Sequence, residues 1–307
     1  MAANVVHVYA APLINFDGGS GSGFSLTDRV QLRPLAEFER VLLRAQLEAG
    51  IRPYDVPLWA AQLPSGWALT TRSVWPSTDV MDLIRPQSDL RNALRGLRLF
   101  RPQPVVFPSI AFYPENGQRL SGSMTFTEFP PGGSLSYWSG PADRPYRLSP
   151  VEQTELTNFA RKVFDLAAKE LRSSFGVAFN RIDGMYGHFQ EDSRIFDAVI
   201  ALEAILLKDT EDDLSYKLAL RGAHLLGTSE PERVGLFDLF RKAYRKRSKI
   251  VHGATNVPPE PSASEIVDLA RRVLKRFVEL SGEIDHRELI RQLDVAALRG
   301  DGTPRTE

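Results

Sequence analysis

The chain has 307 residues, of which 43% are apolar and 25% charged, and 38 basic side chains balance 38 acidic ones. That composition excludes an intrinsically disordered chain and is enough for one large or two ordinary domains. With no net charge, any attraction to nucleic acid must come from local clustering, and the lack of cysteine excludes disulfides, thiolate catalysis and cysteine-ligated metal centres.

No apolar run approaches the roughly 18 residues that span a bilayer. The start, Met1-Ala2-Ala3-Asn4, lacks the basic and apolar regions of a signal peptide. A cytoplasmic protein with no membrane contact is expected. The five histidines, at 7, 188, 224, 252 and 286, have none of the spacings of a helical metal motif, so no metal or other cofactor is expected.

In chain order, residues 4–16 are rich in β-branched and aromatic side chains and predict a strand. The Gly/Ser run at 18–23 predicts a flexible loop. A phosphate cradle would end in Gly-Lys-Ser/Thr and run into a helix, and Phe24-Ser25-Leu26 supplies neither. Helical spacing at 35–49 puts Phe38, Leu42 and Ala45 on one side, and Gly50 stops it. Strands are predicted at 67–75, 105–112 and 122–129, and a helix at 89–100 with its leucines inward and its arginines outward. Most of the 21 prolines lie before residue 151. Residues 1–140 therefore predict a mixed or β-rich domain that precedes an all-helical one, an α+β chain overall.

The polar stretch 139–148 is the predicted linker. A helical domain is expected over 149–299, with a disordered tail at 300–307. It opens on a helix capped by Ser149, with Pro150 at its first position and Glu152 completing a capping box. Weaker helical spacing follows at 175–189, interrupted by Gly184 and Gly187. The helix predicted at 193–208 is apolar all round except for Glu203, which marks it as central. Further helices are predicted at 214–226, from Pro231 through the basic segment below, at 263–280 and at 285–298.

The helix from Pro231 carries the chemistry. Six cations fall in the nine positions 241–249, and His252-Gly253 follows. At about 100° per residue, Arg241, Lys242, Arg245, Lys246 and Lys249 form an outward basic face suited to an RNA backbone. Arg247 instead projects among Phe240, Ala243 and Ile250. A charge in that place needs a partner or a function, and Glu203 is the candidate partner. Arg221 also lies on an apolar stripe, where an acid such as Glu203 or Asp197 would hold it as a structural group.

His252 lies about 140° from Arg247 on an ideal helix. Either the helix ends or kinks between them, or a second copy of the chain completes the site. Gly253 is the expected C′ residue, which puts His252 at the helix end. A histidine titrating near neutrality can move a proton as the ribose 2′-hydroxyl attacks phosphorus, and an arginine fork suits the phosphoryl oxygens. The bland reading of the same residues is a solvated basic helix with an incidental histidine.

Three segments carry a resemblance. They are Arg194-Ile-Phe-Asp-Ala-Val-Ile-Ala-Leu-Glu-Ala-Ile-Leu-Leu207, Leu214-Ser-Tyr-Lys-Leu-Ala-Leu-Arg221 and Tyr244-Arg-Lys-Arg-Ser-Lys-Ile-Val-His-Gly253. In order and spacing they resemble the ApeA-like branch of the HEPN superfamily. The N-terminal half, including Leu97-Arg98-Leu99-Phe100, looks like the less specific domain that precedes HEPN in such proteins. The resemblance implies a helical bundle that pairs as a homodimer, with Arg–His pairs meeting in a shared basic cleft. It implies metal-independent endoribonuclease activity in anti-phage defence, on RNA such as tRNA, with a phage or host trigger acting at the N-terminal domain. Arg247 and His252 take the catalytic positions by carry-over, with Glu203 and Ser248 in support. Where the superfamily often has Asn, Asp or His after the arginine, this chain has Ser248. The alternatives are a non-catalytic module that binds RNA or a partner, or the toxin of a toxin–antitoxin pair.

Overall fold

A computed structural model describes residues 5–19, 21–41, 66–75, 80–103, 105–107, 109–117, 121–125, 146–169, 173–188, 190–254 and 256–299. The fold is α+β, a small sheet followed by a mostly helical part. Two compact units divide at Phe164/Asp165.

In the first unit, six antiparallel strands form one sheet in the order β3-β4-β5-β1-β6-β7. They are β1 (Val5–Pro12), β3 (Phe24–Ser25), β4 (Gln31–Pro34), β5 (Trp67–Trp75), β6 (Ser109–Pro114) and β7 (Gly122–Thr125). β2 (Phe16–Asp17) and β8 (Tyr146–Arg147) make a separate parallel pair. The predicted strand at 4–16 is split because Asn15 adopts φ 60°, a left-handed conformation that a strand does not tolerate. The strand predicted at 105–112 begins at Ser109, and Val106 makes only an isolated bridge to Ile14.

Helix α1 (Val80–Phe100) starts nine residues before the predicted 89, with Pro86 inside it. It packs on β5 and buries Leu90, Leu94 and Leu97. Its Arg98 is not outward. The side chain is buried, and Nε donates to the Val105 carbonyl at 3.1 Å. The predicted helix at 35–49 is helical over 37–41, and its remainder lies outside the described residues, as do the linker residues 141–145 and the tail.

Helix α2 (Pro150–Lys169) opens as its cap residues predict: the Ser149 N–H donates to Glu152 at 2.9 Å, and the Glu152 N–H donates to Ser149 Oγ at 3.4 Å. The unit boundary falls inside this helix rather than at 149. Phe159 packs against Phe100 with the rings tilted and their centres 5.9 Å apart, and Arg29 lies over the Phe164 ring, so most of α2 belongs to the first unit's core. Local cap chemistry marks where a helix starts, but not which core it joins.

The second unit is built from α3 (Ser174–Gly187), α4 (Glu191–Leu206), α5 (Leu214–Leu226), α6 (Glu230–Val251), α7 (Ala263–Leu280) and α8 (His286–Arg299). The all-round apolar helix α4 packs against α3, α5, α6 and α7. Two glycines allow close approach. A Cβ on Gly222 of α5 would collide with the Phe240 ring of α6, and one on Gly184 of α3 would collide with the Asp197 carboxylate of α4. Gly184 therefore sits inside α3 for packing, not as a break.

Candidate active site

Helix α6 is unbroken from Glu230 to Val251. Ser229 caps its start by accepting from the Glu232 N–H, and Glu230 and Glu232 complement the dipole in the first turn. Its end is a Schellman motif. The Gly253 N–H donates to the Ile250 carbonyl and the Ala254 N–H to the Lys249 carbonyl, both at 3.0 Å, while Gly253 takes φ 65°. His252 is the C-cap residue and is exposed. Its N–H donates to the Ser248 carbonyl at 3.1 Å, the last i→i−4 bond of the helix.

Because the helix does not break, Arg247 and His252 stay about 140° apart within one chain. The helix does end between them, but only at Val251, and it has no kink before that.

Arg247 is half-buried, as its place on the wheel requires. Its Nε is buried with no hydrogen-bond partner among the described residues. An unmet buried donor costs about 1–3 kcal/mol and calls for an explanation in a water, an ion or a function. Glu203 of α4 is its electrostatic partner. Burial pushes the Glu203 carboxyl up, and the attraction of Arg247 pulls it partly back. Tyr244, one turn before Arg247, joins the same group. Burial raises its hydroxyl first and the Glu203 charge raises it further, while Arg247 opposes. Its i, i+3 spacing from Arg247 was the available signal for this third member.

A carboxyl held above its unfolded value binds its proton more tightly in the folded chain. Its contribution to stability therefore falls as pH rises through the carboxylate range. Glu203→Gln removes that loss. Thermal melts at about pH 4 and about pH 7 should show the variant gaining on the wild type at the higher pH.

The outward basic face is smaller than the wheel suggested. Lys242, Arg245 and Lys249 are exposed. Arg241 is half-buried, with its guanidinium over the Phe237 ring at 5.7 Å and its Nε buried without a partner. Lys246 is buried. Its Nζ donates to the Pro259 and Pro261 carbonyls, each at 2.8 Å. The proline segment has few N–H groups of its own, and it lies over the flank of α6, where its free carbonyls take the ammonium. Lys246 is thus a structural cation. Lys246→Ala should cost about 1.5–3 kcal/mol in denaturant unfolding, the range for bonds to a charged group. Lys249→Ala should stay within about 0.5 kcal/mol, as surface changes do.

Arg221 is a structural arginine, but its partner is neither Glu203 nor Asp197. Nε and Nη2 grip Asp294 of α8 at 2.7 and 2.9 Å, and Nη1 donates to the Leu206 carbonyl and Thr210 Oγ1, both at 2.8 Å. Asp197 instead takes Arg181 Nη1 at 3.1 Å and lies 3.0 Å from His188 Nε2. His224 is buried. Among the described residues no group of three or more His, Asp or Glu side chains is placed to hold a metal ion, and no helix is long and apolar enough to cross a membrane.

Fold and site together define an α+β protein whose helical unit presents a basic helix ending in an exposed, Schellman-capped histidine. No family model, curated protein or solved structure matches the chain.

Proposed function

We propose that the chain is a metal-independent endoribonuclease of the HEPN type that acts as a homodimer in defence against phage. The observation that carries this reading is the state of Arg247. It is a half-buried arginine with an unmet Nε, balanced by Glu203, on the same helix end as the exposed His252. Lys242, Arg245 and Lys249 supply the contacts to the RNA backbone. In the reaction the 2′-hydroxyl attacks the adjacent phosphorus and the 5′-oxygen leaves. His252 moves the proton, and the Arg247 fork neutralises charge on the phosphoryl oxygens. Since α6 keeps the two apart, each reaction centre takes Arg247 from one protomer and His252 from the other. The N-terminal unit meets the trigger.

Incubation of the wild-type protein with tRNA, ribosomal RNA and message in the presence of chelator tests this. Fragments with a 5′-hydroxyl and a 2′,3′-cyclic phosphate are expected, and intact RNA in all three would overturn the reading.

The unbroken α6 also favours a second reading, in which the two residues never meet and the helix only binds RNA. Binding would then survive His252→Ala and fall, with a shallower salt dependence, when Lys242, Arg245 and Lys249 are neutralised.

A further inference from the structure

Two aromatic rings stand beside the cations of the second unit. Tyr216 of α5 meets Phe237 of α6 nearly at right angles, with the ring centres 5.8 Å apart. Phe237 is half-buried, and it holds Tyr216 in place while Tyr216 itself stays 53% exposed. Arg241, one turn after Phe237, lays its guanidinium over the Phe237 ring at 5.7 Å. That ring, and not an acid, anchors the arginine: among the described residues Arg241 makes no ion pair, and its buried Nε has no hydrogen-bond partner. Its charge is therefore not neutralised by any described side chain.

The rings lie at one end of a strip. On an ideal helix Phe237, Arg241, Arg245 and His252 fall within about 80° of one another. Arg245 and His252 are exposed. At 1.5 Å per residue the strip runs about 22 Å along α6 from the phenyl ring to the histidine. Arg247 lies outside it, on the inward side of the helix.

An exposed ring followed by a row of cations suits an unpaired nucleic-acid strand. Each base offers a π-face that stacks on an aromatic side chain, and each phosphate calls for a cation. Bases within a duplex already stack on their neighbours on both faces and have no free face for the tyrosine. The acids beside the rings, Asp213 and Asp238, are exposed. They disfavour a phosphate there but not an uncharged base, which leaves the backbone to Arg241 and Arg245.

We infer that Tyr216, held by Phe237, is a stacking platform for an unpaired base of an RNA strand whose backbone runs along Arg241 and Arg245 to His252 of the same protomer. The platform rests on the proposed reading of α6 as an RNA-binding helix and gives it a substrate class, single-stranded RNA. The stacked base lies a few nucleotides from the reacting phosphate.

Fluorescence anisotropy with the full-length protein tests this. The probes are a mixed-sequence 2′-O-methyl RNA strand of about twelve nucleotides, the same sequence as a duplex, and an abasic strand of equal length. None has a 2′-hydroxyl opposite a base that could attack phosphorus. The wild type should bind the single strand at least about tenfold more tightly than the duplex. Tyr216→Ala should bind it about five- to a hundred-fold more weakly, the range for losing one stacked base. Its salt dependence should not change, because no phosphate contact is removed. Tyr216→Phe should bind as the wild type does, and the abasic strand should bind wild type and Tyr216→Ala equally. Wild-type affinity of Tyr216→Ala for the single strand would overturn the platform and leave the RNA reading standing. Failure of the wild type to bind any of the probes would overturn that reading and the platform with it. A Tyr216→Ala chain that loses self-association but keeps its affinity for the strand would also overturn the platform, and would assign the ring to a contact between copies.

Discussion

His252→Ala is expected to slow RNA cleavage by about 10²–10⁴-fold, the range for loss of a general acid or base. RNA affinity should change little, because Lys242, Arg245 and Lys249 remain exposed on the helix. Arg247→Ala should be as inactive, through loss of charge stabilisation at phosphorus. The sharper result concerns the mixture of the two. An unbroken α6 keeps Arg247 and His252 on different sides of one protomer. A two-fold dimer can still pair the arginine of one copy with the histidine of the other. In a mixed dimer of Arg247→Ala with His252→Ala, one site then loses both residues and the other keeps both. Half of an equilibrated mixture is mixed dimer with one of two sites intact, so activity should recover to about a quarter of wild type. Gel-resolved cleavage after co-refolding reads this out. A mixture as dead as its parents would show that the pair does not act in trans.

The largest stability effect is expected at Asp294, a residue that carries no reaction. Asp294→Ala should lower unfolding free energy by about 2–4 kcal/mol, the cost of leaving a buried charged donor without its partner, less than for a fully buried pair because the acid is half-exposed. The asymmetry decides which partner matters more. The Arg221 side chain is 6% exposed and cannot rehydrate, whereas that of Asp294 is 45% exposed and can. Removing the acid thus leaves a buried charge that donates, among the described residues, to the Leu206 carbonyl and Thr210 Oγ1. Arg221→Met leaves an acid that water can reach, and it should cost less. The double variant Arg221→Met with Asp294→Leu should recover most of the loss, since well-packed apolar replacements of buried pairs are often close to neutral. Urea midpoints at constant slope measure all three. Equal losses for the two single variants would show that side-chain packing, not stranded charge, dominates at this site.

These expectations rest on features of differing legibility in the chain. The inward position of Arg247, the helix end at His252 and the Gly253 C′ residue all follow from spacing along one helix. The second unit's helices fall close to their predicted spans for the same reason. Helix starts depend on neighbours within a turn: Ser149 with Glu152 at α2, and in the second unit Ser229 with Glu232 and Ser262 with Glu265. The central place of α4 was also legible, because a helix apolar on every side has no face to offer to water.

What the wheel misassigned were charges whose partners are distant in sequence. Lys246 reads as solvated until the carbonyls of Pro259 and Pro261 fold over it. Arg98 reads as outward until Val105 accepts from it, and the acid that holds Arg221 is not seen to be Asp294 until α8 brings it there. A long cationic side chain can turn back along its own stem, so the direction of its Cα does not decide where its head ends.

By itself the sequence determined the α+β division, most helix ends, and the inward place of Arg247 on α6, since all of these depend on local spacing and on pattern. Only the tertiary structure decided that α2 shares the first unit's core, that Lys246 is structural, that α6 continues unbroken past Arg247, and that β5 extends beyond its pairing with β4. Each of these turns on where a second segment lies, and a contact between remote segments leaves no periodic mark in either one.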